Sequence, residues 1–209
     1  MNYKELSNED KIATIAEYNF WKNERAAIEP YIVALKTNDS AVIEEFEALG
    51  DHPYQIALNR HQFTRASTVY GFTHISFNKH GWLEREAFMD CETFNFGYGI
   101  KGTLVGNNSL TVGRGPNGKW TYGRSFAASN SGYGCALSVF SEPHNSRHES
   151  LRYGLKEMIA WHTKENDTKT APVLKEAKDM LDEITGRKPK QLSLFFEGGA
   201  WAATPSRRN

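Results

Sequence analysis

The chain is predicted to fold as an α+β protein: an antiparallel sheet meander with helices packed on one face, and a helical N-terminal region. Three observations lead there. Apolar residues in the first 50 positions recur at helical spacing. Residues 97–134 hold 10 of the 17 glycines, with turn signals between short apolar runs. Two more helical stripes follow residue 146. Helices, then strands, then helices is the order of an α+β layer architecture.

Each element has a local reason. Ser7 with Asp10 forms a capping-box-like start, because a Ser side chain accepts from N–H groups that have no intrahelical partner. Ile12, Ile15, Ala16 and Phe20 follow near one stripe. Pro30 is placed in the first turn of a second, short helix, where its missing N–H costs nothing. Asp39 or Ser40 caps a third helix carrying Val42, Ile43, Phe46 and Leu49, with Gly50 in the left-handed position that ends it. Asp51-His52-Pro53 reads as a turn. Ser67–Phe77 alternates with period two and predicts a strand, followed by a turn at residues 78–81. Trp82–Met89 fits either a short helix or a strand.

The meander is predicted as strands at Ile100–Val105, Leu110–Arg114 and Trp120–Phe126, with Asn117-Gly118 as a two-residue hairpin turn. Residues 127–134 read as a loop and Cys135–Phe140 as a further strand. Ser146 with Glu149 caps a helix whose apolar face carries Leu151, Leu155, Met158, Ile159 and His162. Thr170 starts another helix with Val173, Leu174, Ala177, Leu181 and Ile184, ended by Thr185-Gly186. The expected organisation is a helical region 1–60, continuous with a sheet-plus-helices region 61–185, and a flexible tail 186–209.

Composition narrows the class. The AVILMFWYC residues make up 39%, and 17 glycines in 209 residues bring the apolar total to roughly 47%, an ordinary globular value. No run approaches the ~18 apolar residues of a membrane span. The start, MNYKELSNEDK, lacks the apolar core of a secretory signal. Two Cys residues are too few for a disulfide scaffold or a four-Cys zinc site. A cytoplasmic location, no membrane partner and no cofactor are therefore expected. The 25 basic and 25 acidic residues cancel overall but not by segment: residues 1–65 are net −4, and residues 146–209 net +3. Residues 97–134 contain Lys101, Arg114, Lys119 and Arg124 and no acid.

Those cations lie among aromatics. Trp120, Tyr122, Arg124 and Phe126 share one strand face by alternation. Two readings of that face stand. It is core beneath the 146–162 helix, or it is a weak, salt-sensitive nucleic-acid surface formed by Lys101, Arg114, Lys119, Trp120, Tyr122 and Arg124. The strand–strand–strand–helix order is also loosely similar to the DNA-binding module of tyrosine recombinases, without a shared motif.

Enzyme signatures are sparse. GxxxxGK[ST], GxGxxG leading from a strand into a helix, GxSxG and HExxH do not occur. His144 and His148 are four apart but flank a helix cap, and Cys91 and Cys135 are lone thiols, so no metal site or catalytic residue is assigned. A site assembled in space leaves no local signature, and a cleft joining His74, Cys91 or His148 to carboxylates would reveal one.

One segment is specific. Gln191, Leu192, Ser193, Leu194 and Phe195 combine an orienting amide with three apolar anchors, flanked by Lys188-Pro189-Lys190 and Glu197-Gly198-Gly199. This segment resembles the bacterial sliding-clamp-binding motif at every position. The alternative is a packed last strand, since Leu-Ser-Leu-Phe-Phe suits a sheet. The resemblance implies a bacterial sliding clamp as partner and a role near DNA. The expected function is that of a non-enzymatic accessory protein of a phage or plasmid. The alternatives are a protein-binding inhibitor, such as an anti-defence or anti-restriction factor, and an enzyme with a non-local active site.

Overall fold

The structure is a computed structural model that describes residues 2–97 and 108–187. The described residues form six α-helices and a four-stranded antiparallel sheet, an α+β fold with its N-terminal region helical. None of the helices is long and apolar enough to cross a membrane.

Four helices come first: α1 (Asn8–Ala16), α2 (Lys22–Thr37), α3 (Ser40–Glu47) and α4 (Pro53–Arg65). Ser7 caps α1 by accepting the Asp10 N–H, and Asp39 caps α3 by accepting that of Val42. Their apolar stripes meet in one core of Ile15, Ile28, Tyr31, Leu35, Phe46 and Ile56. Pro30 lies inside α2 rather than opening a helix. It faces solvent, where water can satisfy the carbonyl it leaves free, and burial of Ile28, Tyr31, Ile32 and Leu35 around it outweighs the lost bond. Gly50 is not left-handed; its small size is needed because a Cβ there would lie 2.9 Å from Gln55 Cγ. The expected turn at 51–53 is the cap of α4, with His52 Nδ1 accepting the Gln55 N–H and Pro53 in the first turn. The helix itself was not legible in the sequence, because its buried face includes Gln55 and Asn59.

The predicted strand at Ser67–Phe77 is not one. Ala66–Tyr70 continues α4 as a π-helical turn, ended by Gly71 at φ 80°. Ala66 and Tyr70, four apart, are buried on one side with Val139, and that contact overrides the alternating pattern. Beyond it, Phe77 and Leu83 form a single bridge around the Asn78–Gly81 turn.

The sheet runs β1 (Met89–Phe96), β2 (Asn108–Arg114), β3 (Trp120–Ala127) and β4 (Gly132–Cys135), in that spatial order. Each is antiparallel to the next. The β2–β3 hairpin falls at Asn117-Gly118 as predicted, but its loop spans residues 115–119, closed by Gly115 N–H to Lys119 O at 2.7 Å. Pro116 cannot donate to a ladder, and the Asn117 N–H is taken by Tyr70 O at 3.1 Å. β4 begins earlier than the expected 135–140 strand. The segment after it folds across the outer sheet face, where Leu137 crosses Gly113 and Gly123. Arg65 Nε donates to Val139 O at 2.8 Å and the Tyr70 hydroxyl to Ser141 O at 2.8 Å, fastening this segment to the helical region.

Two helices cover the other face: α5 (Arg147–Glu165), capped by Ser146, and α6 (Ala171–Ile184). The predicted stripe of α5 packs Leu151, Leu155 and Met158 on Phe96, Leu110, Val112 and Phe126, with Val173 and Ala177 of α6 beside them. The predicted strand at 100–105 lies outside the described residues.

Candidate functional site

The face of β3 that carries Trp120, Tyr122, Arg124 and Phe126 is the one beneath α5. Phe126 is buried in the core, and Trp120 and Tyr122 are packed partly buried against it. The expected cations are engaged. Arg114 pairs with Asp90 at 2.6 Å, and Lys119 Nζ donates to Asn145 Oδ1 at 2.6 Å. Lys101 and the Gln191–Phe195 segment lie outside the described residues.

Arg124 anchors a polar cluster at the edge of this interface. Its Nε is 3.2 Å from Glu157 Oε1, and its guanidinium donates to the Tyr133 hydroxyl. That hydroxyl donates onward to Glu157 Oε1 at 3.2 Å, and the Tyr122 hydroxyl donates to Oε2 at 2.8 Å. Burial and the bond to Glu157 push the Tyr122 phenol well above its usual range, so it stays a donor. The Arg124 guanidinium also lies over the Tyr133 ring, 4.7 Å from its centroid.

Beside the cluster, the ring of His144 lies between those of Tyr122 and Tyr153, at centroid distances of 5.8 and 4.7 Å and nearly parallel to both. Its backbone pairs with Trp120 in both directions. The Nε2 atom of His144 is buried without a partner, and burial holds the imidazole below its usual pKa.

Tyr122, Arg124, Tyr153 and Glu157 help line an open groove of ≈ 580 Å³ between α5, the β3–β4 edge and residues 140–142. Two of the lining rings reach solvent, Phe140 at 50% exposure and Tyr153 at 42%. Arg152 and Lys156 sit over the Tyr153 ring, at 5.3 and 6.0 Å from its centroid. Tyr122 and Arg124 were legible as one face. Phe140, Arg152, Tyr153 and Lys156 were not. The available signal was the order Arg-Tyr-x-x-Lys on α5, which sets an aromatic among cations on its solvent side.

His74 does meet carboxylates. It lines a second groove of ≈ 330 Å³ with Ser76, Glu84 and Glu86. The Ser76 hydroxyl donates to Glu84 at 2.9 Å, and Glu86 accepts from Gln62 at 3.1 Å. Ser76 and Glu84 thus bond each other rather than His74, so the groove lacks the relay that activates a nucleophile. Among the described residues, no group of three or more His, Cys, Asp or Glu side chains is placed to hold a metal ion.

No protein-family model, no curated protein and no solved structure matches the chain.

Proposed function

We propose that this protein is a non-enzymatic accessory protein of a phage or plasmid. It acts at bacterial DNA in the cytoplasm and docks on the sliding clamp through Gln191–Phe195. The observation that carries this reading is the five-residue match of that segment to the clamp-binding motif. Its position supports the reading. α6 closes with Gly186 at φ 71° and Arg187 N–H bonded to Asp182 O at 2.9 Å, and the motif begins four residues after Arg187. A helix terminated in this way ends before the motif begins.

Leu194→Ala with Phe195→Ala tests it. Interface energy concentrates in a few anchors, so the double variant is expected to lose clamp binding at an unchanged melting temperature. Loss of stability of about 2–5 kcal/mol per side chain, with no clamp affinity in the parent, would instead identify a packed strand.

A second reading, a protein-binding inhibitor of host defence, has one observation in its favour. Tyr18, Phe20 and Tyr54 stack at 5.7–6.3 Å on the surface of the helical region, near Trp21 at 79% exposure. Expression of the chain would then raise the plating of unmodified phage on a restricting host, and Tyr18→Ala with Trp21→Ala would abolish that effect.

A further inference from the structure

The groove beside α5 has an unusual combination of groups. Two partly exposed aromatic rings, Phe140 and Tyr153, line one concavity rather than lying scattered over the surface. On α5, Arg152 and Lys156 stand at i and i+4, with Lys164 two turns further on, and among the described residues none of the three forms an ion pair. Unpaired cations beside stacking rings are the two halves of a single-strand binding surface: the cations track phosphates and the rings take bases.

We propose that this groove and the basic row of α5 bind single-stranded nucleic acid, with bases stacked on Tyr153 and Phe140 and phosphates on Arg152 and Lys156. The proposal deepens the reading of a protein that acts at DNA and does not depend on the clamp peptide.

The acids at the site fix how the strand lies. Glu157 is neutralised by Arg124 and bonded by two tyrosine hydroxyls, so it offers little repulsion. Glu142 lines the groove opposite α5 and disfavours phosphate there, which leaves the groove to bases and the helix to the backbone. The rings line a concavity, so they meet unstacked bases and not the paired bases of a duplex. Arg152 and Lys156 lie over the Tyr153 ring, and Ser141, Glu142 and Glu157 share the lining with Phe140, which suits a polar polymer better than an apolar peptide helix.

The test uses the full chain without clamp and a fluorescein-labelled, mixed-sequence DNA strand of about 20 nucleotides, read by anisotropy between roughly 50 and 200 mM salt. The single strand is expected to bind more tightly than the same sequence as a duplex. Arg152→Gln with Lys156→Gln should reduce the slope of log affinity against log salt by about 1.4, from ~0.7 per phosphate contact. Tyr153→Ala with Phe140→Ala should weaken binding by about fivefold or more, the lower limit for loss of one stacked base. The charge variant replaces the exposed Lys156 and the half-buried Arg152 and leaves the core residues unchanged, so it keeps the test decisive if the aromatic variant fails to fold. Leu194→Ala with Phe195→Ala should leave strand binding intact, which separates this site from the clamp peptide. Absence of binding at low salt, equal or tighter duplex binding, an unchanged slope in the charge variant, or loss of binding in the 194/195 variant would each overturn the proposal.

Discussion

His162 of α5 donates through Nε2 to Oδ1 of Asn108 at 2.9 Å, joining the helix to the first residue of β2. The same oxygen accepts the Ala127 N–H at 2.9 Å, so it must be the acceptor and Nε2 must carry the hydrogen. Asn108 Nδ2 also donates to Ala127 O at 3.1 Å. One fully buried amide therefore joins β2, β3 and α5. Asn108→Ala would leave the half-buried Ala127 N–H and C=O and the buried His162 N–H without these partners. A loss of about 3–5 kcal/mol is expected by denaturant unfolding. A loss below about 1 kcal/mol would show that the amide is replaceable.

Stability should depend on pH through the buried imidazoles. His144 and His162 are both held below the ordinary value of 6.5 by burial. In His162 the second nitrogen, Nδ1, is buried without a partner, so a proton there would be an unsatisfied donor. The native state thus binds fewer protons than the unfolded chain, and stability rises with pH. The contribution is complete above the unfolded value and is lost as pH falls below about 6.5. Each group adds at most about 1.4 kcal/mol per pH unit. Urea midpoints measured from pH 7.5 down to about 5.5 should fall, and His162→Gln should flatten the curve. A flat profile in the parent would contradict the assignment.

The helical region holds a buried ion pair. Lys11 Nζ lies 2.8 Å from Glu47 Oε1, which also accepts the Tyr31 hydroxyl at 2.8 Å. The Tyr3 hydroxyl donates in turn to that of Tyr31 at 3.4 Å, and burial lifts the Tyr3 pKa to about 12. Glu47→Ala strands the Lys11 ammonium at 5% exposure, and a loss of about 3–5 kcal/mol is expected. Lys11→Met with Glu47→Leu removes both charges and should recover most of that loss, because the desolvation cost disappears with the pair. Equal losses in the single and double variants would refute the account.

Two glycines of the hairpin should respond differently to alanine. A Cβ at Gly123 would lie 2.4 Å from the backbone nitrogen of Leu137, so the crossing segment must move, at a cost of about 1–3 kcal/mol or more. Gly118 has open space around it but sits at φ 86°, so Gly118→Ala should cost about 1–2 kcal/mol from backbone conformation alone. Thermal melts of the two single variants check these costs. Because the clash at Gly123 is with backbone, adding Leu137→Gly to Gly123→Ala should not rescue it.

What the sequence determined by itself was local. Ser7, Asp39 and Ser146 cap helices because a side-chain oxygen meets an N–H two or three residues on, and no distant partner is needed. The stripe of Leu151, Leu155 and Met158 and the hairpin at Asn117-Gly118 were legible for the same reason, since period and turn chemistry are read within a few residues. Tyr122 and Arg124 were legible as one face of a strand, but their partners Glu157 and Tyr133 were not, because those come from α5 and β4. Tertiary structure alone decided that Pro30 stays inside α2, that residues 66–70 wind rather than extend, and that α5 covers the aromatic face of β3. In each case burial of large side chains against a distant element is worth several kcal/mol, while the local preferences it overrode are worth about 1 kcal/mol per residue for a strand and about 3 for a proline. The groove beside α5 exists only after that packing, so its rings and cations, drawn from β3, the 140–142 segment and the helix, become one site in space and remain separate in sequence.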